Sequence, residues 1–439
     1  METVIIKIVQ LLLSLSILVI VHEFGHFLFA RLFKVRVEKF YLFFNPWYTV
    51  FKYKPRGSET EYGLGWLPLG GYVKISGMID ESMDKEAMAQ PPKPWEFRTK
   101  PAWQRLLIMI GGVLMNFILA FFIYAMMVFT WGEEYLPIQN VTMGYTYNEL
   151  TQKAGFQNGD IPLTADGKEL ENMSGNTLMS IVDAKEVTVL RHGEITSIQL
   201  PADFNKVLFE EERNFIPRYP FVIASVNNGT PAKKAGLEEG DSIFGINGID
   251  NLSFEDVQLV LAQNKETEIT LNLFRNGQKI DIPVTPDNNG KLGVGVKSPY
   301  KIYKTVRTKY NFFSAFPAGI RIGVETIKTY LGQFKYIFTK EGAQSLGGFG
   351  TIANIFPGKW NWSEFWNMTA FLSIILGVMN LLPIPALDGG HVLFLLYEVV
   401  SGRKPNEKFM EYAQITGMLF LIALLIYANG NDIFRAFFK

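Results

Sequence analysis

Cysteine is absent from all 439 residues, and histidine occurs only four times. Without thiols the chain can form neither a disulfide nor a thiolate metal site, so any bound ion must be held by His, Asp, Glu or Asn. Charge of one sign is also lacking in excess. Lys plus Arg number 42 and so do Asp plus Glu, with a sequence pI of about 6.9, so no nucleic-acid partner is expected. Charged residues thin out further in four apolar blocks, at 4–33, 106–131, 368–382 continuing weakly to 400, and 415–427. A helix needs roughly 20 apolar residues to cross a bilayer core, and these blocks read as four transmembrane helices. The first is too long for a signal peptide and lacks a small-residue cleavage site, so it is expected to be retained.

The loop between the first two blocks, 31–105, carries a basic majority that includes Arg31, Lys34, Arg36, Lys39, Lys52, Lys54 and Arg56. Short basic loops stay in the cytoplasm. That places both termini, and the long segment 132–368, on the outer side. Arg403, Lys404 and Lys408 after the third block agree with this orientation.

The outer segment repeats itself. Lys153-Ala154-Gly155-Phe156-Gln157-Asn158-Gly159-Asp160 matches Lys234-Ala235-Gly236-Leu237-Glu238-Glu239-Gly240-Asp241, and Asp166-Gly167 matches Asn247-Gly248 at the same offset. Arg191-His192-Gly193 then matches Arg275-Asn276-Gly277. Each copy reads as short alternating strands joined by glycine turns. The pattern resembles the PDZ domain, the second copy more clearly than the shortened first. His192 falls in a hairpin turn and is read as solvated rather than as a metal ligand.

Two of the four histidines bracket an acid in His22-Glu23-Phe24-Gly25-His26, inside the first apolar block. Imidazoles four residues apart share one helical face, and H-E-x-x-H is a zinc-hydrolase pattern in which the glutamate serves as general base. A supporting pattern stands in the third block: Asn380, Pro383, Pro385, Leu387, Asp388, Gly389, Gly390 and His391. The two prolines break the helix, and broken backbone at membrane depth must be satisfied by protein or a water cavity. A carboxylate there is expensive and usually functional. The bland alternative is a Pro-kinked helix with Asp388 solvated at the interface. With H-E-x-x-H in the same membrane region, His22, His26 and Asp388 instead make two nitrogens and one oxygen with a fourth position open, the count of a catalytic zinc site.

The pairing of these two motifs around tandem PDZ-like repeats resembles the site-2 protease family across essentially the whole chain. The resemblance implies one zinc ion per chain, held by His22, His26 and Asp388, with Glu23 as catalytic base and Asn380 near the substrate. It also implies that Glu61-Tyr62-Gly63-Leu64-Gly65-Trp66-Leu67-Pro68-Leu69-Gly70-Gly71-Tyr72-Val73-Lys74 is a membrane-re-entrant β-hairpin. Gly63, Leu64, Gly65, Trp66, Gly70, Gly71 and Tyr72 would present strand edges to an extended substrate.

The expected fold is therefore a polytopic α-helical membrane protein with four transmembrane helices, a re-entrant hairpin and two inserted PDZ-like α+β domains. Its parts would be 1–131, PDZ-like domains at 141–215 and 220–298, an amphipathic or gating segment at 300–366, and 367–439. By the same resemblance it is a bacterial inner-membrane protease, with the PDZ-like domains in the periplasm as a substrate size filter. Its substrates would be single-span membrane proteins, such as anti-sigma factors or remnant signal peptides, already cut once on the outer side. It would act as a monomer. Gly111-Gly112-Val113-Leu114-Met115-Asn116 at the start of the second span reads as helix packing. His391 reads as a cavity residue. An inactive PDZ adaptor leaves Asp388 unexplained, and a transporter with a broken helix lacks the expected repeats in its membrane part.

Overall fold

The computed structural model describes residues 2–78, 90–209, 214–337 and 339–438. Residues 79–89 of the expected cytoplasmic loop, 210–213 near the end of the first expected repeat domain, and Phe338 within the expected amphipathic or gating segment lie outside the described residues. The chain divides into two compact units, Met1–Gly132 with Lys309–Lys439, and Glu133–Thr308.

The first unit is built on helices α1 (Glu2–Leu32), α2 (Ala102–Trp131), α3 (Phe312–Ile337), α4 (Trp362–Leu381), α5 (Asp388–Ser401) and α6 (Glu407–Phe438). Four of these, α1, α2, α4 and α6, contain stretches long and apolar enough to cross a membrane. The hub is α2, which packs against α1, α3, α4 and α5. Glycines let it come close. A Cβ added at Gly25 of α1 would collide with the Gly111 carbonyl of α2, and one added at Gly111 would stand 2.8 Å from the Gly25 carbonyl oxygen. Small residues substitute here for the hydrophobic effect, which gives helices in lipid little reason to associate.

Two helices differ from the sequence expectation. Helix α4 starts at Trp362, because the Asn361 side chain accepts from the Ser363 and Glu364 amides and caps the first turn. It stops at Leu381, where Pro383 and Pro385 follow and Ala386 takes a left-handed φ of 79° before α5 begins. Helix α6 runs well past the apolar block at 415–427. Its polar end is used: Asp432 accepts from the Gly348 and Thr351 amides, both at 3.0 Å, and Asn429 accepts from the Phe349 amide. Helix α3, within the segment read as amphipathic, docks one face on α2. Ala315, Ala318, Gly319 and Gly323 are buried there, while Arg321 and Glu325 remain exposed on the other side.

Strands β1 (Val37–Tyr53) and β2 (Glu61–Ile75) form one antiparallel sheet between α1 and α2 in sequence. Both are long enough to fold over on themselves. Phe40, Tyr41 and Leu42 lie opposite Val73, Tyr72 and Gly71, whereas Phe51, Lys52 and Tyr53 lie opposite Leu64, Gly63 and Tyr62. Residues 39–42 are also flanked by 61–64, so 61–65 is an inner pass and 71–75 an outer one. Tyr41 stacks on Tyr72 with ring centroids 5.2 Å apart.

In the second unit the sequence repeat becomes a structural one. The first copy has strands Ile161–Ala165, Glu186–Arg191 and Glu194–Gln199 with helix Gly175–Asp183; the second has Ser242–Ile246, Ile269–Arg275 and Gln278–Val284 with helix Phe254–Gln263. The second sheet is completed to five strands by Phe221–Val226 and Val294–Val296. Its core closes over Ile223, Ile243, Val257, Leu271 and Leu273, none of them measurably exposed.

Candidate metal centre

The H-E-x-x-H spacing places His22 and His26 one turn apart on the buried face of α1, and Glu23 at its edge. Asp388 arrives from the far end of the sequence as the first residue of α5, where the helix N-terminus favours a carboxylate. The turn that delivers it depends on Gly389 and Gly390. A Cβ on Gly389 would overlap the Leu382 carbonyl, and one on Gly390 would stand 2.7 Å from the Ile384 carbonyl oxygen.

Asp388 Oδ2 lies 3.1 Å from His22 Nε2 and 3.3 Å from His26 Nε2. The two Nε2 atoms are themselves 3.3 Å apart. These separations test whether a zinc ion fits. Nitrogen and oxygen ligands at about 2.0–2.2 Å in a tetrahedral shell stand roughly 3.3–3.5 Å from one another. The triangle has nearly those edges. The buried Oδ2 faces the two imidazole Nε2 atoms and, among the described residues, no other polar side chain bonds it, as expected of an atom aimed at an ion. Among the described residues these three form a group of His, Cys, Asp or Glu side chains close enough to share a metal.

Both rings are held from behind by α2. His26 Nδ1–H donates to the Ile108 carbonyl at 2.9 Å, and the Asn116 amide lies 3.0 Å from His22 Nδ1. Gly112 leaves the room between them: a Cβ there would stand 2.5 Å from His26 Nε2 and 2.7 Å from His22 Cε1. By sequence this stretch of α2 reads as helix packing. An asparagine in an apolar block was the one signal of a further role.

A cavity of about 560 Å³ opens on the three ligand candidates. Glu23, Asn380, His391 and Gln414 line it, together with Gly70, Gly71, Tyr72, Val73, Lys74 and Ile75 from the outer pass of the hairpin. Of the expected hairpin residues, then, Gly70, Gly71 and Tyr72 reach the cavity. Gly63, Leu64, Gly65 and Trp66 do not: they belong to the preceding pass, where Gly63 lies under the Tyr41 ring and Trp66 Nε1–H donates to the Pro46 carbonyl at 2.9 Å. The sequence could not show which of two glycine-rich passes would lie outermost. Phe44 and Phe349 also line the cavity and carried no signal of it.

The sequence profile of peptidase family M50 matches residues 10–424. This chain belongs to peptidase family M50. Curated relatives agree over nearly their whole length. The regulator of sigma E protease of Haemophilus influenzae is 29% identical, covering 97% of this chain and 98% of that one. The protease RseP of Yersinia pestis is 28% identical over 99% of this chain and 100% of its own. A protein of Vibrio cholerae named as a zinc metalloprotease is 27% identical over 97% and 98%. The M50 chain described here is a zinc metalloprotease, and its donor set of two imidazoles and a carboxylate suits that metal.

Proposed function

We propose that this M50 protease cleaves single-span membrane proteins inside or beside the bilayer, with His22, His26 and Asp388 as zinc ligands and Glu23 as general base. One observation carries the proposal: the α1 imidazoles and Asp388 meet at 3.1–3.3 Å on the wall of a cavity that Glu23 also lines. Bound there, zinc supplies a Lewis acid that polarises a carbonyl and brings the pKa of water to about 7. Glu23 takes the water proton on its carboxylate and passes it to the leaving amine. Asn380, in the same cavity, hydrogen-bonds the substrate carbonyl as its oxygen gains charge.

A transmembrane substrate must unwind before its peptide bond is reachable, and its backbone groups then need new partners. The outer hairpin pass, including Gly70, Gly71 and Tyr72, offers them by strand addition beside Glu23. Gly63, Leu64, Gly65 and Trp66 support that edge from the pass inside it. One chain contains every part, which suits a monomer. The basic loops support an orientation in a bacterial inner membrane with Glu133–Thr308 and both termini on the periplasmic side. There the two repeat copies, read as PDZ-like domains, act as a size filter for substrates already trimmed on the outer side. Anti-sigma factors and remnant signal peptides fit that description, and two of the relatives are named for sigma E regulation or as RseP.

The test uses the full chain purified in detergent, its zinc content measured, and a truncated single-span substrate. One zinc per chain and cleavage are expected. Glu23→Gln should keep the metal and lose cleavage, and Asp388→Ala should lose the metal. Cleavage surviving in E23Q removes Glu23 as base, and full zinc in D388A removes Asp388 from the ligand set. A folded domain fused to the outer end of the substrate should block cleavage; unchanged turnover would sink the filter.

A further inference from the structure

We infer that Asn116 is a positioning residue for the metal centre, its side-chain oxygen holding the His22 proton on Nδ1 so that Nε2 presents a lone pair to the ion. The inference rests on the zinc reading above. It starts from a difference between the two imidazoles. His26 is backed by the Ile108 carbonyl, which can only accept. Its proton is therefore fixed on Nδ1, and its Nε2 is free to ligate. His22 is backed by a side-chain amide, which has one accepting end and one donating end.

With Nδ2 toward the ring, the amide donates to His22 Nδ1 at 3.0 Å, and the ring proton sits on Nε2, directed at Asp388 Oδ2 3.1 Å away. In that pose Asn116 Oδ1 is buried with no partner among the described residues. Half a turn of the amide exchanges its two ends. Oδ1 then accepts from the other tautomer of the ring, in which the single proton has moved from Nε2 to Nδ1, and Nε2 faces the site with its lone pair. The two poses thus match the two proton placements that a metal-free and a metal-binding His22 require. In either pose one end of the amide has no partner seen here, an arrangement too expensive for packing alone in a fully buried position.

The backbone that carries it is also held in place. Ser373 Oγ–H on α4 donates to the Asn116 backbone carbonyl at 2.8 Å, which ties α2 at this position to the helix that leads to Asp388.

The experiment measures zinc affinity of the full chain in detergent by competition with a chelator, alongside the visible spectrum of the cobalt(II)-substituted protein. Asn116→Leu keeps the shape and removes the acceptor. It should weaken zinc binding by roughly 10–100-fold and alter the cobalt spectrum. Asn116→Asp restores an acceptor for Nδ1–H and should stay within a few-fold of the unaltered chain. Zinc held equally tightly by N116L, with the cobalt spectrum unchanged, overturns the inference and leaves the zinc reading intact. Equal weakening in N116L and N116D also overturns it, because shape rather than acceptance would then matter. An unaltered chain that binds no zinc, with D388A no different, overturns the metal centre beneath it.

Discussion

The two units use glycine for opposite purposes. In Glu133–Thr308 it sits where the chain turns back with positive φ: Asp166-Gly167 at 46° and 76°, Asn247-Gly248 at 52° and 81°, His192-Gly193 at 49° and 87°, Asn276-Gly277 at 50° and 81°. The last two pairs close two-residue hairpins, where both central residues must have φ > 0. In the membrane unit Gly25, Gly111 and Gly112 lie inside regular helices, and what matters is the missing Cβ. In the first case the neighbour being accommodated is the residue's own backbone. In the second it is a residue about 85 positions away. Local glycines repeat with the sequence, so the structure repeats with them. Long-range glycines cannot be recognised until their partner is known.

The largest test of this contrast is Gly112→Ala. The new methyl would press on both imidazoles, and a misplacement near 1 Å at a reacting centre costs about 100-fold or more in rate. Zinc retention and cleavage should both fall to that extent, with helix content by circular dichroism unchanged. Wild-type zinc affinity in G112A would mean the site is not shaped by close approach.

The second unit should respond to loss of an ion pair that occurs twice. Arg275 grips Asp241 through Nε and Nη2 at 2.7 and 2.6 Å, and Arg191 grips Asp160 the same way at 2.8 and 2.7 Å. Each carboxylate also accepts the amide three residues before it, from Glu238 or Gln157. Asp241→Asn, which weakens a bidentate contact between a buried carboxylate and a partly exposed guanidinium, should destabilise the second copy by about 1–3 kcal/mol, read as faster hydrogen exchange across 221–296 in the full chain. Protection unchanged from the parent would mean that the repeated pair is ornamental.

A smaller effect should appear on acidification. Burial alone would raise the Asp241 carboxyl, but Arg275 and the Glu238 amide hold it below its ordinary value. The unfolded value is near 3.9, so the contribution is complete above about pH 4 and is lost as pH falls through the lower folded value. Exchange across 221–296 should accelerate as pH falls below about 4 after correction for intrinsic rates, and Arg275→Met should flatten that dependence. The smallest expected change is at the first hairpin, where the second copy has Asn-Gly and the first has His-Gly. His192→Asn should stabilise the first copy by about 0.5 kcal/mol or less, with zinc stoichiometry unaltered. Loss of zinc in H192N would contradict the reading of His192 as a turn residue.

Much of the molecule was legible where a rule acts over a few residues. The four-residue spacing of His22 and His26 specifies a shared face on any helix. The prolines at 383 and 385 specify a break, and a carboxylate just beyond a break in an apolar block signals a purpose. The helix ends were less legible. Asn361 starts α4 earlier than hydropathy suggests because its cap acts through hydrogen bonds, and α6 runs on because Asp432 finds the Gly348 and Thr351 amides. Hydropathy registers neither.

The sequence by itself determined the chemistry available: two imidazoles and two carboxylates in apolar surroundings, and a duplicated strand-and-turn unit. Each of these follows from covalent spacing or from the cost of a polar group in lipid. Only the tertiary structure decided that α2 backs both imidazoles, that Asn116 rather than another buried group meets His22, and that residues 71–75 form the hairpin edge beside Glu23. Those outcomes depend on which helices can approach closely enough to touch. That is settled by side-chain volumes summed across segments far apart in the chain, and no local pattern encodes the sum.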